Sequence, residues 1–102
     1  MSNRKVSNQL YRLSDIPEDQ LKDPNDCHRI PFLDQYIRRR ATIVTNKGTV
    51  KGYLEYMDGW YFCQAPFYLV NGKWTFSHKR FCFRKGAFRS IKGEPIESSV
   101  GI

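Results

Sequence analysis

The residues able to do chemistry in this chain are cationic and aromatic. Arg38-Arg39-Arg40 is a run of three guanidinium groups, and Arg84-Lys85-Gly86 is a short basic turn. Asp58-Gly59-Trp60 sets an indole directly behind a charged loop residue. Simple capping of a helix C-terminus explains one or two arginines, so three in a row point to an added phosphate-facing role. Cys27, His28, Cys63, His78 and Cys82 contain no C-x-x-C pair and no His pair at ligand spacing, so no structural zinc is expected. His78, between Ser77 and Lys79, reads as a surface or interface residue. No Ser/His/Asp order, glycine-rich phosphate loop or helically spaced carboxylate pair is present. Asp58 is better explained as a loop-capping carboxylate than as an acid or base. The expectation is a protein without catalytic residues, metal or cofactor, and not an enzyme.

Composition narrows the class. The chain has 102 residues, enough for one domain with a small core that a partner chain could help stabilise. Its formal charge of +7 is uneven, because residues 1–27 carry a net of −1 and residues 28–102 a net of +8. The folded part is therefore expected to be the basic part. With 15% aromatic residues, it has the make-up of a nucleic-acid-binding β domain, the bland alternative being a merely soluble basic surface. No apolar run is long enough to span a membrane, and Met1-Ser2-Asn3-Arg4-Lys5 is not followed by the apolar segment of a secretory signal. Three widely spaced cysteines read as free thiols in a reducing cytoplasm.

The elements that must position these groups can be read in order. Residues 1–29 read as a peripheral arm, with Ser14 or Asp15 capping a short helix near 16–22 and Asp23-Pro24-Asn25-Asp26 ending it. Ile30 to Arg40 reads as the best helix, opened by Pro31, with Phe32, Leu33, Tyr36 and Ile37 on one apolar face. The arginine run would sit at its C-terminus. Strands are expected near 41–46, 49–58, 60–70, 74–83 and 87–91. The second alternates over nine residues, with Val50, Gly52, Leu54 and Tyr56 on one face, and Gly52 marks a bend or a bulge. Asn46-Lys47-Gly48 and Asp58-Gly59 are turns, and Asn71-Gly72 is the strongest hairpin signal in the chain. Pro66 marks a bulge or an edge, and residues 94–102 read as a flexible tail.

The expected fold is mainly β: an N-terminal helix followed by a five-stranded, strongly bent antiparallel SH3-like barrel, with the domain spanning 30–93. Three pieces of this chain resemble the Sm-like (LSm/Hfq-type) family. Asn46-Lys47-Gly48, Gly52, Leu54 and Asp58 look like the first Sm motif. Phe83-Arg84-Lys85-Gly86-Ala87-Phe88-Arg89-Ser90-Ile91 is similar to the second. Pro31-Phe32-Leu33, opening a helix that ends at Arg38-Arg39-Arg40, resembles the arginine-rich rim helix of the family's bacterial branch.

The resemblance implies a homo-oligomeric ring, in which each subunit's fourth strand pairs with the fifth strand of the next. It implies single-stranded RNA at the pore, one base per subunit. Carried over by position, stacking falls on Trp60, two residues after Asp58. The family's Asn position is held by Phe62, which departs from the pattern and removes the amide that would read a uracil edge. The basic position falls on Lys85 with Arg84 beside it, and lysine, a point charge, suits a phosphate contact better than base readout. The RNA-binding residues so implied are Asp58, Trp60, Phe62, Arg84 and Lys85, with Arg38, Arg39 and Arg40 as a second contact. A structural or protein-interaction ring of the same fold, its RNA pocket filled by packing, is the rival reading. A monomeric barrel binding duplex DNA by charge is a third.

Overall fold

The computed structural model describes residues 9–94. It is mainly β, with eight strands in one antiparallel, barrel-like sheet that does not close. The strands are β1 (Leu10–Arg12), β2 (Arg40–Thr45), β3 (Gly48–Met57), β4 (Trp60–Cys63), β5 (Phe67–Val70), β6 (Lys73–Phe76), β7 (Phe81–Phe83) and β8 (Phe88–Gly93). The main path runs β1-β8-β2-β3-β4-β7, while β5 pairs with β3 and β6 pairs with β5. No helix among the described residues is long and apolar enough to cross a membrane.

β3 is the spine. Its inward residues Val50, Gly52 and Leu54 are buried, as the period-two pattern requires. One edge pairs with β2 from Thr45↔Gly48 to Arg40↔Tyr53. The other edge is shared: Val50 and Lys51 pair with β5, and Leu54 to Met57 pair with β4. The changeover falls at Gly52, where a Cβ would lie 3.3 Å from Cys63 Cβ and 3.4 Å from Pro66 Cβ. Glycine is needed there because the chain between β4 and β5 crosses directly over it.

Two expected strands are each broken in two, which makes seven of five, and β1 is the eighth. The stretch 60–70 breaks at Gln64-Ala65-Pro66, where Ala65 takes a left-handed φ of +44°. Pro66 has no amide to give to a ladder, and its carbonyl instead accepts Ser77 N at 3.0 Å. The stretch 74–83 breaks over Ser77 to Arg80, which leaves β5–β6 as a separate hairpin. Its Asn71-Gly72 turn has positive φ at both central residues, and so does Asp58-Gly59 between β3 and β4, the signature of a type I′ hairpin turn.

The expected long helix is absent. Pro31–Tyr36 forms a six-residue 3₁₀ helix, and its buried residues Leu33 and Tyr36, with Ile30 just ahead of it, recur every three positions, the 3₁₀ period. The backbone then joins the sheet: Ile37 is extended beside Leu54, Arg38 adopts φ +64°, and Arg38 N donates to Leu54 O at 2.7 Å. The arginine run therefore does not lie at a helix C-terminus, and Arg40 begins β2. The helix expected near 16–22 reduces to a single 3₁₀ turn, Glu18–Gln20, because Ile16 ahead of Pro17 is held extended.

The N-terminal segment is also more integral than an arm. Leu10, Tyr11 and Arg12 pair with Lys92, Ile91 and Ser90 and so form the sheet's outer strand. Glu94 is tied in, its N–H donating to Arg40 O and its carboxylate accepting Thr42 Oγ1. Residue 94, expected to begin a flexible tail, is instead held by the sheet; the rest of that tail, 95–102, lies outside the described residues. The core gathers Ile30, Leu33, Tyr36, Ile43, Leu54, Tyr61, Phe83, Phe88 and Ile91 between the bent sheet and the 3₁₀ helix.

Candidate nucleic-acid interface

β4 opens with Trp60 and alternates. Tyr61 and Cys63 point into the core, while Trp60 and Phe62 face outward beside Met57 of β3 and Cys82 of β7. Trp60 remains 37% exposed, but Phe62 is only 7% exposed, with the Arg80 guanidinium 4.5 Å from its ring centroid. Met57, Asp58, Trp60, Phe62, Arg80 and Cys82 line one shallow hollow.

Two further cations converge on the indole. Arg84 Cζ lies 4.2 Å from the Trp60 ring centroid and Lys47 Nζ 5.8 Å from it. Lys47 comes from the β2–β3 turn, which is tied to the loop before β8 by Asn46 N donating to Ala87 O at 2.9 Å. Lys47 Nζ also reaches Cys82 O at 3.5 Å. Arg84 is held from below: Nη1 donates to Gly59 O at 3.4 Å and lies 3.1 Å from His28 Nδ1. Gly59 has φ +85°, and a Cβ on it would meet Arg84 Nη1 and His28 Cδ2, each at 3.1 Å. The type I′ turn therefore supplies the hairpin and the room for the guanidinium at once.

His28 is delivered by the N-terminal segment, which two tyrosines fasten. Ile30 N donates to Tyr61 Oη at 2.8 Å, and the same hydroxyl donates to Ile30 O at 3.3 Å. Tyr56 Oη donates to Asp26 Oδ2 at 2.6 Å. This bond holds the Asp26 carboxyl below its ordinary range, and burial together with the same bond raises the Tyr56 phenol. Burial pushes Tyr61 up to about 12. Asp26 also accepts His28 N at 3.0 Å, and Arg29 pairs with Asp23 and Asp34.

The residues expected from sequence are thus divided. Asp58, Trp60, Phe62 and Arg84 share one site. Lys85 does not; it faces a neighbouring hollow with Lys22, Asp23, Pro24 and Cys27. Arg38, Arg39 and Arg40 lie three to four residues back along β3, where Arg40 pairs with Tyr53 and Arg38 Nε approaches Glu55 Oε1 at 4.0 Å. They do not form one rim, since Arg40 turns its guanidinium over Phe67 at 5.9 Å. Sequence reasoning missed Lys47, Arg80 and above all His28. Lys47 was visible as the cation in the turn, but nothing local marks a residue placed 56 positions from its partner.

Among the described residues no three His, Cys, Asp or Glu side chains gather as a metal site would require. The thiols are free: Cys27 exposed, Cys82 half-buried, and Cys63 buried and pushed up to about 12. The surface assembled here can stack a planar ring on Trp60 and neutralise phosphate with Lys47, Arg80 and Arg84. No protein-family model matches the chain, and no curated protein matches its sequence.

Proposed function

We propose that this protein binds single-stranded RNA without catalysis, on an SH3-like barrel of the Sm-like kind, with Trp60 as the stacking platform. The carrying observation is the half-open indole with Arg84 against it and Lys47 and Arg80 nearby. An aromatic face flanked by cations suits a base followed by its phosphate, and stacking of this kind is worth about 1–3 kcal/mol per base without selecting the base. Phe62, pinned under Arg80, offers no amide, so the reading carries no uracil preference. The barrel reading is supported by the order of five strands: β2, β3, β4 and β7 neighbour one another in turn, and β8 returns beside β2. The β5–β6 hairpin and β1 are additions to that plan.

The ring is a second reading, favoured by one observation. Among the described residues β7 pairs with β4 alone, so its other edge is open. Closure by that edge against β8 of the next copy requires β1 to leave, because β1 holds the outer side of β8.

The test is binding of short labelled RNA followed by anisotropy across a salt series. Affinity should fall steeply with salt, and Trp60→Ala with Arg84→Ala should lower it at least tenfold while circular dichroism is preserved. Absence of binding at low salt, or affinity indifferent to the double substitution, would reject the proposal.

A further inference from the structure

The β5–β6 hairpin is not used by the site above. It carries aromatic side chains on its outer face, the face that turns away from the core. Phe67 pairs with Phe76, and the two rings meet edge to face at 5.5 Å. Trp74 stands two residues before Phe76 on the same side of β6, which is exposed along its whole length. Tyr53 of β3 continues the patch toward β2. Tyr53 is 57% exposed, Phe76 49%, with the His78 ring edge to face on it at 4.9 Å, and Trp74 38%.

Two cations are interleaved with these rings. Lys51 Nζ lies 4.4 Å from the Trp74 centroid, and Arg40 Cζ lies 5.9 Å from that of Phe67. Lys51 pairs with Phe67, and Arg40 with Tyr53, so each cation stands directly across from a ring. Among the described residues neither cation makes a salt bridge to a carboxylate.

We infer that this outer face is a second site for single-stranded nucleic acid, with bases on Trp74, Tyr53 and Phe76 and phosphates on Lys51 and Arg40. Exposed aromatic side chains gathered on one face of a sheet mark an interaction surface. A second copy of the same face is disfavoured, because a two-fold contact would bring Lys51 and Arg40 of both copies into one desolvated interface without counter-charge. A phosphate backbone carrying planar bases answers rings and cations together. The outward residues of β3 join this face to the first site: Lys51 and Tyr53 belong here, Glu55 follows with Arg38 Nε 4.0 Å from its carboxylate, Met57 belongs to the Trp60 hollow, and six residues of strand span at most about 20 Å. One extended strand of RNA can therefore touch both. The inference borrows only its ligand class from the function proposed above; it does not need the Trp60 site.

The chain has two tryptophans, one in each site, which makes the test direct. Trp60→Phe leaves Trp74 as the sole indole, and Trp74→Phe leaves Trp60. Each folded variant is titrated with an unlabelled short RNA while indole emission is read. The inference expects Trp74 emission in the Trp60→Phe protein to be quenched saturably. Adding Lys51→Ala and Arg40→Ala should weaken that titration about tenfold. If Trp60 responds while Trp74 does not, this second site is refuted and the first survives. If Trp74 alone responds, the second site stands and the first falls; silence of both refutes both. Quenching of Trp74 by poly-glutamate at equal charge, or a mass that doubles with protein concentration as Trp74 emission shifts without RNA, would overturn the nucleic-acid assignment in favour of a protein partner.

Discussion

Arg84 and His28 meet beneath the Trp60 ring, the guanidinium 3.1 Å from the imidazole Nδ1 and 4.2 Å from the indole centroid. The contact joins the loop before β8 to the N-terminal segment across the first turn of the β3–β4 hairpin. Because Gly59 makes the room, Gly59→Ala should both strain the turn, by about 1–2 kcal/mol for a left-handed residue with a Cβ, and push Arg84 off the ring. Thermal melting and Trp60 emission in the Trp74→Phe background would show the two effects; an unchanged emission would mean that Arg84 does not rest on the indole in solution.

Arg84→Lys should keep the charge and the fold but lose the planar stack. A lysine has one donor group where the guanidinium reaches Gly59 O and His28 together. RNA affinity is expected to drop several-fold, with the salt dependence nearly unchanged. Equal affinity would show that charge alone matters at this position.

Tyr61→Phe should cost about 1–3 kcal/mol, because it leaves the buried Ile30 amide without its acceptor. The loss should be accompanied by faster hydrogen exchange over residues 23–30, which the hydroxyl fastens. A variant as stable as the parent would mean that water replaces the phenol.

The pH dependence has two limbs. Asp26 is held below its ordinary value in the folded state, chiefly by the Tyr56 hydroxyl, so its contribution is present above the ordinary carboxylate range and is lost as pH falls through the folded value. Asp26→Asn should flatten the acid limb. Tyr61 is raised from 10.0 to about 12, so its contribution is complete below 10.0 and disappears as pH climbs toward about 12. Denaturant midpoints measured across pH check both signs.

A maleimide should label Cys27 readily and leave Cys63 untouched, since burial both hides that thiol and raises it to about 12. Cys82 lines the Trp60 hollow, and saturating RNA should slow its labelling several-fold without affecting Cys27. Protection of Cys27 instead would move the interface to the hollow around Lys85.

Removal of residues 1–12 should expose the outer edge of β8. β1 is three residues long, pairs with β8 and packs Tyr11 edge to face on Phe32 at 5.1 Å, so the cut removes a short strand and its ring contact. Native mass spectrometry should then show higher assemblies if β7 seeks that edge. A shortened chain that stays monomeric would remove the ring reading.

Some of this was written locally. The period-two alternation of Val50, Gly52 and Leu54 and the Asp58-Gly59 and Asn71-Gly72 turns need only their own residues to be recognised. The absence of the α-helix is not legible there, because Phe32, Leu33, Tyr36 and Ile37 satisfy an α pattern while the backbone of Ile37 and Arg38 pairs with Leu54. The long aromatic strand ends early because Pro66, which the sequence marks as a bulge or an edge, follows Ala65 at a left-handed φ of +44° and gives its carbonyl to Ser77 N.

The sequence by itself determined the β class, the special role of Gly52, the two hairpin turns and the indole that follows one of them. These follow from side-chain alternation and from the backbone angles that glycine and asparagine allow, which are properties of neighbours in the chain. Tertiary structure alone decided that Arg84 rather than Lys85 rests on Trp60, that His28 supports it, that Arg40 joins a second aromatic face, and that β1 occupies the edge of β8. Those are meetings of residues tens of positions apart, and their geometry comes from how the strands pair and the sheet bends, not from any local preference.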